Sequence, residues 1–124
     1  IGAPCTNLHS MYGTSDIGVS FGENQWGGSS FKDVEALFER SPLTYVAAVQ
    51  TPALLLHGEV DYRCPIEQSE QFFVALKRQK KTVEFVRFPD GPHGFRKTAH
   101  PKLRQEYYQR MLDWFARFCA APAP

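Results

Sequence analysis

At 124 residues, 43% hydrophobic and 14% aromatic, the chain has apolar side chains for one modest core and room for a single domain. Fourteen Lys and Arg against thirteen Asp and Glu leave a formal charge of +1, so no general attraction to nucleic acid or to an anionic membrane is expected. The longest apolar runs, such as Ala53 to Leu56, fall far short of a bilayer span, and three widely spaced cysteines, Cys5, Cys64 and Cys119, fit a reducing, cytoplasmic compartment better than a disulfide framework.

In chain order, the opening IGAPCTNLHS reads as the interior of a domain, with a short strand expected over Cys5 to Met11. Tyr12 to Ser30 is rich in Gly, Ser and Asn, lacks any period, and is expected to be a long loop. Ser30 with Asp33 has the form of a capping box, and Phe31, Val34, Leu37 and Phe38 share one helical face, predicting a helix over Phe31 to Arg40 that ends at Ser41 and Pro42. Ala53 to His57, between Pro52 and Gly58, reads as a fully buried strand of a parallel sheet. Pro65, then Glu67 and Glu70, with Lys77, Arg78, Lys80 and Lys81 at the far end, suit the dipole of a helix from Pro65 to about Arg78. Its buried stripe is expected to be Ser69, Phe72, Phe73 and Leu76.

Thr82 to Phe88 is β-rich and alternating, which predicts a second strand. Leu103, Tyr107, Met111, Trp114, Phe115 and Phe118 recur every three or four residues, giving a helix from about Lys102 to Phe118; the final AAPAP is expected to fray. Strands alternating with helices make a parallel α/β sheet with right-handed crossovers. Two strands and a possible third leave an apolar edge, so the sheet is expected to be incomplete and to need strands from elsewhere.

Two loops carry the chemistry. HGEVDYRCPIEQSEQ puts Asp61 just past the first strand, and FPDGPHGF puts His93 just past the second. In a parallel sheet both loops open at the carboxyl edge, in the order acid then histidine of a serine hydrolase triad. An Asp so placed accepts from the His ring, sets its tautomer and stabilises the imidazolium. Taken singly, Asp61 is equally an ordinary loop acid and His93 a surface histidine; their pairing on successive loops favours catalysis.

A nucleophile is not obvious. Gly18, Ser20 and Gly22 spell GxSxG ahead of Asp61 and His93, but an elbow needs an apolar strand before the serine and a helix directly after it. GTSDI is no strand and ENQWGGSS places two adjacent glycines where the helix should run, so Ser20 is read as a loop serine.

The stretches HGEVDYRCPIEQSEQ and GPHGF resemble the acid and histidine motifs of the prolyl oligopeptidase family of serine peptidases, especially its acylaminoacyl-peptidase branch. The likeness extends upstream to YGTSDIG and SPLTYV and downstream through the last helix. The resemblance implies that residues 1–124 are the C-terminal part of an α/β-hydrolase catalytic domain, with Asp61 the triad acid and His93 the general base. It further implies a nucleophile in a GxSxGG elbow upstream of Ile1 and an accompanying β-propeller, neither of which is found in this sequence. Arg63 falls at a family position that reaches a substrate carbonyl; the alternative is a surface ion pair with Glu59 or Glu67. Cys64 could line the pocket for the residue before the cleaved bond, although a packing thiol is the simpler reading. Met11, Tyr12, Phe21 and Trp26 lie in a stretch the family uses as pocket wall, or pack on the sheet.

No cofactor is expected. His57, Asp61, Cys64, His93 and His100 are potential ligands, but no HExxH or paired CxxC spacing supports zinc, and His57 reads as a hydrogen-bonded structural residue. The basic run Lys77 to Lys81 lacks the glycine-rich loop of a phosphate site. The expected partners are the remainder of the same protein and a short or acylated peptide substrate, with homo-oligomerisation through exposed sheet edges as a further expectation. Two rival readings stand beside the peptidase: a non-catalytic interaction module on a hydrolase scaffold, and a small esterase using Ser20.

Overall fold

The computed structural model describes residues 1–119; the expected frayed end at 120–124 lies outside them. Residues 1–93 and those from Gly94 onward form two compact units. In the first, helices α1 (Leu8–Thr14) and α2 (Gly18–Phe21) lead into a π-helical turn at Gly22–Trp26, then α3 (Val34–Glu39) and a 3-10 turn at Pro42–Ala48. Strand β1 (Ala53–Gly58), helix α4 (Glu67–Arg78) and strand β2 (Val83–Phe88) complete it.

Strands β1 and β2 pair in parallel, from Ala53 opposite Val83 to Gly58 opposite Phe88, and α4 is the crossover between them. Every residue of β1 is buried, as its unbroken apolar run requires when both faces are covered. The core joins Val46, Ala53, Leu55, Phe72, Leu76 and Val83. Among the described residues the sheet has two strands, which bears out the incomplete parallel sheet. At the β1 edge away from β2, Gly2 bridges Leu56 in parallel. The Ile1 nitrogen donates to the Leu54 carbonyl at 2.8 Å, and Leu56 N–H donates to Ile1 and Ala3 N–H to Leu56.

That extended segment replaces the strand expected over Cys5 to Met11. Those residues instead enter α1, because Asn7 caps the helix: its side chain accepts from Ser10 N–H at 3.1 Å, satisfying one of the helix's orphan donors. The long loop expected over Tyr12 to Ser30 is likewise partly helical. Helix α3 is shorter than its predicted 31–40 span, and only Leu37 of the proposed face is fully buried, with Phe31 exposed. The expected capping box does not form: Asp33 is the residue that caps α3 and its side chain bonds no helix N–H, accepting instead from Ser29 N–H at 3.0 Å, while Ser30 Oγ donates to the His9 carbonyl.

Helix α4 starts two residues later than predicted and buries Gln68, Ser69, Phe72 and Leu76. Phe73 is only half-buried, its ring 5.7 Å from that of Phe85. Gln68 takes the inner position because its amide is fully used there, accepting from Thr6 N–H and Asn7 N–H at 2.8 Å each and donating to the Asn7 carbonyl. A buried amide so satisfied costs little.

The second unit holds α5 (Phe95–Thr98) and α6 (Pro101–Cys119). Phe95 packs edge-on against Tyr107 with ring centroids 5.5 Å apart. Along α6 only Tyr107 and Trp114 are buried, whereas Phe115 and Phe118 of the predicted stripe stay exposed. No helix of the described residues is long and apolar enough to cross a membrane.

Candidate active site

Because β1 and β2 are parallel and in register, the loops that leave them emerge on the same sheet edge. Backbone contacts then fix one loop against the other. Glu59 N–H donates to the Phe88 carbonyl at 3.0 Å and Val60 N–H to the Gly91 carbonyl at 3.2 Å. The His loop opens with a tight turn in which Gly91 N–H donates to the Phe88 carbonyl, Pro89 supplies the fixed φ and Asp90 takes φ +56°. Asp tolerates that left-handed conformation better than most non-glycine residues.

The two side chains singled out in the sequence meet here. His93 Nδ1 lies 2.9 Å from Asp61 Oδ2 and 3.1 Å from Oδ1. Asp61 is buried, while the His93 side chain is 46% exposed. An ionised carboxylate only accepts, so Nδ1 carries the proton of a neutral ring and Nε2 holds the free lone pair. A ring in that tautomer, held by a buried acid, can take a proton at Nε2 and return it.

Asp61 is itself held from three sides. Its Oδ1 accepts from Arg63 N–H at 3.0 Å and Cys64 N–H at 2.9 Å, and His57 Nε2 lies 3.5 Å from its Oδ2. His57 is completely buried; its Nε2 is 2.7 Å from the Cys64 carbonyl and its Nδ1 2.7 Å from Ser69 Oγ. A carbonyl cannot donate, so Nε2 is the donor and, in the neutral ring, Ser69 donates to Nδ1. The structural reading of His57 is borne out, and the buried Ser69 on α4 is its anchor. Nothing in the spacing of Ser69 marked that partnership beyond its place on the buried face.

Burial opposes the charge on Asp61, but the hydrogen bonds from His57, Cys64 N–H and His93 outweigh it and leave the carboxyl below the ordinary carboxylate range. A carboxyl whose folded-state pKa is depressed stabilises the fold above its unfolded value, about 4, and loses that contribution as pH falls through the folded value. The gap in thermal midpoint between the wild-type protein and Asp61→Asn is therefore expected to be largest near neutrality and to shrink as pH falls below about 4. Melting curves at stepped pH measure it.

Arg63 pairs with neither Glu59 nor Glu67. Its Nε lies 2.7 Å and its Nη2 3.3 Å from the two Asp16 oxygens, and Asp16 is fixed by donating its N–H to the Tyr62 carbonyl. The guanidinium lowers the Asp16 carboxyl and is raised in turn. Glu59 belongs instead to Arg87, which also reaches Glu70. Within the aromatic stretch, Met11 and Tyr12 are buried, whereas Phe21 is exposed and edge-on to Trp26 at 5.8 Å.

Ser20 sits within α2, with no strand before it, and its exposed hydroxyl donates to the Ile17 carbonyl at 3.3 Å. Together with Ile17, Phe21, Asn24 and Gln25 it lines an open depression of about 250 Å³. Among the described residues no three His, Cys, Asp or Glu side chains converge as a metal site.

The model of the prolyl oligopeptidase family of peptidases matches residues 1–121. The chain belongs to this family. It is 47% identical over 110 residues to an uncharacterized peptidase, YuxL, of Bacillus subtilis, covering 89% of this chain and 17% of that protein. It is 28% identical to the acylamino-acid-releasing enzyme of Arabidopsis thaliana, covering 94% of this chain and 16% of that one. Among solved structures, the Pyrococcus horikoshii acylaminoacyl peptidase superposes with a TM-score of 0.90 at 32% identity, over 94% of this chain and 19% of that chain. The two strands, crossover helix and flanking helices are thus part of an α/β-hydrolase fold, and the chain spans less than a fifth of each of these family members.

Proposed function

We propose that this prolyl oligopeptidase family chain supplies the acid and the base of a Ser-Asp-His triad for hydrolysis of short or N-acylated peptides, with the serine outside residues 1–124. The observation that carries this reading is the buried Asp61 carboxylate 2.9 Å from Nδ1 of a half-exposed His93. In the reaction the serine Oγ attacks the scissile carbonyl while His93 Nε2 takes its proton. The same nitrogen then gives the proton to the leaving amine, and water repeats the exchange to release the acyl group. Asp61 keeps Nδ1–H in place and offsets the imidazolium charge. Arg63 is assigned to a substrate carbonyl through Nη1, which lies outside its fork with Asp16. Three free thiols suit the cytoplasmic setting that this reading retains.

The esterase alternative loses weight on geometry, since Ser20 lacks the strand-turn-helix elbow that exposes a nucleophile. Turnover of a chromogenic N-acyl-amino-acid anilide by the full-length protein tests the assignment. Ser20→Ala is expected to keep kcat/KM within about twofold of wild type, while His93→Ala loses about 10⁴-fold or more. Loss of turnover in Ser20→Ala would overturn the reading in favour of the esterase, and an inactive wild-type protein would favour the interaction module.

A further inference from the structure

Cys5 and Cys64 are 59 positions apart in sequence, yet their sulfurs lie 3.7 Å from one another. Both thiols are free, Cys5 exposed and Cys64 buried. The meeting is built into the backbone on both sides. Cys5 lies between Ala3, whose N–H donates to the Leu56 carbonyl beside β1, and Thr6, whose N–H donates to the buried Gln68 amide. Cys64 is fixed by its N–H to Asp61 Oδ1 at 2.9 Å and by its carbonyl to His57 Nε2 at 2.7 Å. A disulfide needs sulfurs about 2.0 Å apart, so closing the pair requires a movement of less than 2 Å, and Cys64 cannot move without disturbing the bonds that hold the acid.

We propose that Cys5 and Cys64 form a reversible disulfide that acts as a redox switch on the Asp61 loop, with a hydroperoxide as oxidant and a small dithiol as reductant. The electrostatics suit that order of events. The hydrogen bond from Cys64 holds the Cys5 thiol down to about 7, while the same bond, with burial, raises Cys64; Cys5 is thus the thiolate and Cys64 the thiol that supports it. The Cys5 thiolate attacks a peroxide oxygen, the O–O bond breaks, and hydroxide leaves a sulfenic acid on Cys5. That step removes the negative charge that kept the Cys64 proton in place. The Cys64 sulfur gives up its proton and attacks Cys5, the S–O bond breaks, and the departing hydroxide takes that proton. Two thiols lose two electrons and two protons, and hydrogen peroxide becomes two waters.

The effect on rate rests on the hydrolase reading above; the bond itself does not. Full-length protein is treated with hydrogen peroxide and then with dithiothreitol, and is followed by non-reducing peptide mapping and by anilide hydrolysis. Oxidation is expected to join the Cys5 and Cys64 peptides with loss of two hydrogen atoms and to lower kcat/KM by about tenfold or more, in line with the cost of small misplacements around a catalytic group. Dithiothreitol restores both, and Cys5→Ser keeps the reduced rate and ignores mild peroxide. A map with the two cysteines unlinked overturns the proposal, as does a linked protein that hydrolyses at the reduced rate. A reduced protein with no turnover would overturn the hydrolase reading instead, and the map would still decide the bond.

Discussion

Replacing Asp61 by Asn is expected to lower kcat by about 10⁴-fold while the protein stays folded, a magnitude typical of removing a triad acid's charge without its shape. The loop geometry dictates why so small a change is so costly. Asp61 Oδ1 accepts two backbone N–H groups, from Arg63 and Cys64, so an Asn must put its carbonyl oxygen there. Its NH2 group then faces His93 Nδ1 from the Oδ2 position, 2.9 Å away. Two donors cannot share that bond, so Nδ1 must become the acceptor and the ring proton moves to Nε2. A histidine protonated at Nε2 has no lone pair for the serine proton. Steady-state rates, with near-ultraviolet circular dichroism to verify the fold, measure the effect. A variant that keeps more than about a tenth of wild-type kcat would place the acid elsewhere.

The second large effect is expected from a residue with no chemistry of its own. A Cβ on Gly58 would lie 2.0 Å from the Gly91 carbonyl oxygen, 2.6 Å from its carbon and 3.0 Å from its Cα. All of these are backbone atoms of the His loop, which has no rotamer to yield. Gly58→Ala must push that loop away, breaking the Val60 to Gly91 hydrogen bond and drawing His93 off Asp61. Overpacking of this kind costs about 1–3 kcal/mol, and a shift of about 1 Å at a catalytic group costs about 10²-fold in rate. Gly13→Ala is the matched control, because its new Cβ meets nothing within 4 Å and lies inside α1. There the same substitution should stabilise by roughly 0.5–1 kcal/mol. Denaturation midpoints and kcat/KM of the two variants should move apart, and a Gly58→Ala protein indistinguishable from wild type would mean that the two loops do not constrain each other.

What the sequence made legible was the part governed by strong local pattern. The apolar run of β1, the charge gradient along α4 and the alternation in β2 each specify an element, and two consecutive strand-loop pairs bring Asp61 and His93 to one edge. What it hid was set by long-range polar contacts. Asn7 reads as part of a strand until its side chain is seen to cap α1. Gln68 lies outside the stripe read from the sequence of α4, yet it is buried because two backbone N–H groups 61 and 62 positions away end on its oxygen. Arg63 has two acidic candidates nearby and chooses Asp16, 47 positions away, because Arg87 already holds Glu59. Cys5 and Cys64, far apart in sequence, become neighbours for the same reason: the chain returns to the β1 edge at Ile1–Ala3, a contact that no local period announces.

The central proposal is that Asp61 and His93 serve a serine outside this chain, and fluorophosphonate labelling of the full-length protein tests it most directly. The labelled peptide, located by mass spectrometry, is predicted to lie outside residues 1–124, and labelling in His93→Ala to be slower by about 10³-fold or more because the serine loses its base. Labelling at Ser20, or an unchanged rate without His93, would contradict the account.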